Sequence, residues 1–97
     1  MSLYRLTPAA EDDLSAIWQY TMDNWGFDQA ETYIRDLVAA CEAAASRTRP
    51  SRSAEFVRSG YRKIASGRHM IYFRQEDDHI EVIRILHQRM DVGEHLA

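Results

Sequence analysis

The chain has 97 residues, 45% of them hydrophobic and 28% charged, with a formal net charge of −3. That is the size of one domain, residues 1–97, able to bury roughly 60–70% of its unfolded surface in one modest core. No apolar run is long enough for a membrane span, no leader pattern precedes the first periodic segment, and the single cysteine, Cys41, excludes an internal disulfide and a cysteine-based zinc site. The composition predicts a soluble cytoplasmic protein with no membrane partner, no metal and no cofactor.

Charge is spread unevenly along the chain. Residues 1–46 carry two arginines against eight acids, a net −6. Residues 47–74 carry eight basic groups against the single acid Glu55, a net +7. A basic middle on an acidic body predicts an anionic partner for that stretch.

In chain order, Ser2–Leu6 reads as a short strand. Thr7-Pro8 then starts a helix, with threonine able to cap free N–H groups and proline suited to the first helical position. Ala10, Leu14, Ile17, Trp18, Thr21 and Trp25 fall on one helical face, which predicts that both tryptophans serve core or hairpin packing rather than base stacking. Gly26 closes the helix. Asp28-Gln-Ala-Glu31 has the spacing of a capping box for a second helix, whose apolar face runs Ala30, Ile34, Leu37, Val38, Cys41 and Ala45 and ends near Arg47. So short a connection predicts an antiparallel helical hairpin.

Thr48–Ser59 has no period and reads as a loop. Tyr61–Ala65 predicts a strand, Ser66-Gly67 a tight turn, and Arg68–Glu76 and Ile80–His87 two further antiparallel strands. Strict alternation in the last strand puts Val82 and Leu86 on one face and Ile83 and Ile85 on the other. A strand apolar on both faces belongs inside a sheet, so the first strand is expected beside it. Asp91–Leu96 reads as a last helical turn. The fold class is therefore α+β, ordered β-α-α-β-β-β, with the helical hairpin on one face of a small, mostly antiparallel sheet. The other face is expected to keep exposed apolar side chains for a partner.

Few residues suggest chemistry. His87, near Arg84 and Arg89, could move protons, and with Arg84 and Arg62 it sketches a metal-free ribonuclease. The competing reading makes His87 a hydrogen-bonding cap at the strand end. His69, His79 and His95 lie at no metal-site spacing. Cys41, on the apolar face of the second helix, reads as a packed, inert thiol.

Several segments together resemble one family: Tyr4-Arg-Leu-Thr-Pro-Ala-Ala10, Ile17-Trp-Gln-Tyr20, Trp25-Gly26, Gly60-Tyr-Arg62, Gly67-Arg-His-Met-Ile-Tyr-Phe-Arg74 and Ile83-Arg-Ile-Leu-His-Gln-Arg-Met-Asp91. The chain resembles the ParE branch of the RelE/ParE superfamily of bacterial type II toxin–antitoxin toxins. It departs from the ParE pattern after Pro50, where Ser-Arg-Ser replaces the usual turn glycine.

The resemblance implies a non-enzymatic toxin that inhibits DNA gyrase by binding it, and a ParD-like antitoxin whose extended segment wraps and neutralises the toxin. No sequence-specific DNA binding by this chain is implied. Antitoxin contacts are expected at Arg58, Arg62, Arg68, Tyr72 and Arg74, and target contacts at Arg49, Arg52, Arg89 and Asp91. The runner-up is the RelE branch's ribosome-dependent mRNA cleavage, with His87, Arg84 and Arg62 as its candidates. A pI near 5.7 and a single lysine argue against docking on ribosomal RNA. A non-toxic, antitoxin-bound relic is the third possibility.

Overall fold

Thr7 and Pro8 open the first helix as their chemistry predicts. The Ala10 N–H donates to Thr7 Oγ1 at 3.1 Å, and proline fills the first turn where a missing N–H costs nothing. The computed structural model describes residues 3–90 and 92–96. Its elements are β1 (Tyr4–Leu6), α1 (Pro8–Trp25), α2 (Phe27–Ser46), β2 (Arg52–Ser53), β3 (Tyr61–Ser66), β4 (His69–Gln75), β5 (Ile80–His87) and α3 (Val92–Leu96).

Gly26 is the whole connection between α1 and α2. It sits at φ +91°, ψ 176°, a backbone region open essentially to glycine alone. Its N–H donates to Met22 O and its carbonyl accepts from the Ala30 N–H, so it ends one helix and begins the next. The capping box expected at Asp28 is not used: α2 starts two residues earlier, at Phe27 after Gly26, with no side-chain cap. At the other end Arg47 takes a left-handed conformation, and the Arg47 and Thr48 N–H groups close back onto Ala44 and Ala43 carbonyls.

The sheet has five strands in the order β1-β5-β4-β3-β2. The last long strand is interior, as its two apolar faces require, with β1 running parallel beside it. The strand β2 was not legible in the sequence. It is two polar residues at the sheet edge, paired with Lys63 and Arg62, and carries no apolar period.

The faces of β5 differ from strict alternation. Phe73 pairs with Val82, but the next residue back, Tyr72, pairs with Arg84, which leaves Ile83 as an extra residue. This bulge shifts the facing by one position. Val82 and Ile85 therefore share the helix-covered core, while Ile83 and Leu86 join the opposite face.

The main core lies between the helices and the sheet. Leu37, Ile71, Phe73, Ile80 and Val82 are essentially inaccessible there, each contributing about 1.5–3 kcal/mol by burial. Ala30, Ala40 and Ala44 line the buried face of α2. The other face of the sheet is not left open. Ala54, Tyr61, Tyr72, Leu86 and Leu96 form a second buried cluster, flanked by Val57, Met70, Ile83 and Val92. The turn after β2 and the short helix α3 supply the cover that the sequence reading reserved for a partner.

Candidate functional site

The helical hairpin, rather than the sheet, carries the exposed apolar surface. Trp25, expected in the core or in packing of the hairpin, is 62% exposed and takes the second role, and Tyr20, Met22 and Phe27 are exposed with it. Trp25 packs against Tyr20 (ring centroids 5.8 Å apart), and the half-buried Trp18 meets Phe27 edge-on at 5.6 Å. The 3.6-residue period of α1 continues to its end, but the last turn has no sheet beneath it. Periodicity alone cannot detect where the underlying layer stops.

The edge of β5 beyond β1 is closed by side chains of the first helix. β1 pairs only with residues 80–82. Past that point the Thr7 hydroxyl donates to Ile83 O (2.8 Å), and the Asp13 carboxylate accepts the Ile85 N–H (2.9 Å). Asp13 also receives both arms of the Arg84 guanidinium, at 2.7 and 2.9 Å. These bonds hold the Arg84 pKa above its ordinary value, against partial burial. Arg84 reaches on to the carbonyl of His95, tying the tail to the edge.

At the β3–β4 turn, Tyr33, His69 and His87 meet. Tyr33 Oη lies 2.6 Å from His69 Nδ1 and accepts the Arg68 N–H at 2.9 Å. His69 stands opposite His87 across the strands, rings edge-to-face at 5.4 Å. His87 Nδ1 accepts the Arg89 N–H (3.1 Å), so that nitrogen caps the strand end. Burial, then the neighbouring His87, depress the His69 pKa, with Asp13 opposing.

A pH dependence follows from that depression. The folded-state pKa of His69 lies below its ordinary 6.5, so the unfolded chain binds more protons on acidification. His69 thus contributes stability that is fully present above pH 6.5 and is lost as pH falls towards the folded value. Urea midpoints taken between pH 7.5 and about 5.5, above the main carboxylate range, should decline for the wild type. They should decline less for His69→Gln; equal slopes in the two proteins would remove His69 as the cause.

The ribonuclease candidates are not brought together. Arg84 is held by Asp13, and Arg62 donates to Ser51 Oγ (2.7 Å) and to its carbonyl (3.0 Å). From the strand register, Arg62 lies roughly 16 Å from His87, two strands over and four residues along. Cys41 is buried in the core, its thiol pushed up to about 12 chiefly by burial.

The two predicted contact sets divide differently in space. Arg49 and Arg62 line one groove where α2 ends and β2 meets β3, while Arg52, paired with Lys63, and Arg58, in the turn that follows, are exposed and do not line it. Arg68 and Arg89 come together at the opposite end of β3, where the Gln88 N–H donates to Arg68 O. Tyr72 is buried in the second cluster, and Arg74 is already paired with Glu76 (2.8 Å) and Glu81 (3.5 Å). Asp91 lies outside the described residues.

The family model described as "ParE toxin of type II toxin-antitoxin system, parDE" matches residues 4–92. The chain belongs to the ParE toxin family. Toxin ParE1 of Mycobacterium tuberculosis (strain CDC 1551 / Oshkosh) is 46% identical over 98% of both chains, and Toxin ParE1 of Caulobacter vibrioides is 41% identical over the whole of both. A chain of the chromosomal ParDE system from P. aeruginosa superposes with a TM-score of 0.75, covering 90% of this chain and 96% of its own, at 22% identity. That likeness extends the fold of this ParE-family toxin to a sequence in which most positions differ.

Proposed function

We propose that this ParE-family toxin arrests bacterial growth by binding DNA gyrase and stalling it with DNA cleaved, with no catalytic centre of its own. In this reading it is a single cytoplasmic domain, kept inactive by a ParD-like antitoxin. The observation that carries the non-enzymatic reading is the separation of His87, Arg84 and Arg62, each engaged by a different partner. The aromatic tip of the helical hairpin supports the protein partner, since a clustered apolar surface on a small chain marks an interaction site. The structural neighbour's description as a ParDE system points the same way.

Purified toxin incubated with gyrase and supercoiled plasmid should leave linear DNA after detergent and protease treatment. Co-expressed antitoxin should suppress that product. Absence of cleaved DNA at micromolar toxin would sink the gyrase reading. Codon-phased cuts in translated mRNA, lost in His87→Ala, would replace it with the ribonuclease.

A further inference from the structure

The stretch where α2 ends holds a feature that neither the family nor the apolar surfaces account for. An open groove of about 450 Å³ is lined by Arg47, Arg49 and Arg62, with Pro50, Ser51 and Gln75 between them. No acid lines it. Among the described residues none of these three arginines has a carboxylate within salt-bridge distance, whereas Arg35, Arg74 and Arg84 all do.

Two of the three guanidinium groups are nevertheless positioned. Arg62 is held by two bonds to Ser51, and Arg49 donates to the Ala65 carbonyl. These acceptors are neutral, so they fix the geometry without cancelling the charge. Because Arg62 Nε donates to Ser51 Oγ, the serine's own O–H is left to donate elsewhere. Two positioned guanidinium groups, a third arginine at Arg47 and a hydroxyl around one open groove, on a chain of net charge −3, make a local anion site.

The geometry points to the sugar–phosphate backbone of duplex DNA as the groove's ligand, held through Arg47, Arg49 and Arg62 without reading sequence. An acidic protein segment is the competing occupant. Protein hot spots centre on buried aromatic and arginine anchors in well-packed, desolvated pockets, whereas this groove is open and, apart from Ala44 and Pro50, lined by polar side chains. Backbone contacts to nucleic acid are instead polar and strongly basic. The choice of duplex DNA over RNA rests on the gyrase reading, in which the toxin works beside DNA; the affinity for a phosphodiester chain does not.

The test is fluorescence anisotropy of the full-length toxin with a labelled mixed-sequence duplex, titrated across a range of low salt. Three phosphate contacts give a log–log salt slope of about −2.7. The double variant R47Q/R49Q should bind at least about tenfold more weakly at the lowest salt and bring the slope to about −0.9, while R47K/R49K keeps most of it. Among the described residues Arg47 makes no side-chain hydrogen bond or ion pair, so R47Q alone tests the groove without touching its framework, and should reduce the slope by about 0.9.

A wild-type slope in R47Q and in the folded double variant would overturn the proposal. So would displacement of the duplex by polyglutamate at a lower charge concentration than unlabelled duplex requires, which would assign the groove to an acidic protein segment. Failure of the gyrase reading looks different: the wild type would bind duplex in an arginine-dependent manner yet leave no gyrase-cleaved DNA.

Discussion

Replacing Asp13 with alanine should lower stability by about 2–4 kcal/mol, an effect visible as a drop of roughly 10–20 °C in Tm for a domain of this size. One carboxylate serves three donors: two nitrogens of Arg84 and the Ile85 N–H. Its side chain is only 13% exposed, and that of Arg84 22%. Removing it leaves a half-buried guanidinium with only the His95 carbonyl and a strand N–H with no acceptor, which costs more than the net value of the bonds lost. Asp13→Asn should fall between, because the amide oxygen can still accept from Ile85 while the charge pair is gone. Adding Arg84→Met to Asp13→Ala should recover part of the loss, since the stranded cation disappears with it. Thermal melts of the four proteins suffice, and an Asp13→Ala protein within 1 °C of wild type would show that the edge of β5 needs no such closure.

Substituting Gly67 with alanine should cost a similar amount, about 2–4 kcal/mol, through two additive strains. The residue sits at φ +57°, where a side chain costs roughly 1–2 kcal/mol. A Cβ there would also stand 2.7 Å from Tyr33 Oη and 2.8 Å from its Cε1, well inside contact distance. The tyrosine cannot simply swing aside, because its hydroxyl is bonded to both His69 and the Arg68 N–H. The two sources can be separated. In a Tyr33→Leu background the collision is gone and only the backbone penalty remains, so the double-mutant cycle should return a coupling of about 1–2 kcal/mol. A coupling of zero would place the whole cost in the backbone.

Much of the architecture was legible in the sequence because local rules and tertiary structure agree. Thr7-Pro8, Gly26 and the apolar period of both helices specify the hairpin almost to the residue. Two-faced hydrophobicity placed Ile80–His87 inside the sheet. Besides β2, three features escaped for physical reasons. The bulge at Ile83 is a property of strand pairing rather than of composition, and it moved Ile85 and Leu86 to faces opposite those that alternation gives. The value of Asp13 depends on partners more than 70 residues away, so in the sequence nothing sets it apart from its neighbours Glu11 and Asp12. Trp25 kept the helical period while leaving the layer that would have buried it.

The binding surfaces were legible as charge and less so as place. Eight basic groups between 47 and 74 signalled an anion partner. The fold then sends them to separate ends of β3 and neutralises Arg74 within the chain. Tyr72 lost its expected exposure because α3, a five-residue element, lays Leu96 and Val92 over the sheet.

The parallel pairing of β1 with β5 also sets a clock on synthesis. Tyr4 has no strand partner until Ile80 has been made. At roughly 5–20 residues per second, the ribosome finishes the helical hairpin about 2–7 s before it reaches that strand. During that interval Ile17, Leu37 and Cys41 have no sheet to cover them. The nascent chain therefore passes through a hydrophobic, unfinished intermediate, and the toxin assumes its working shape only after β5 has been made.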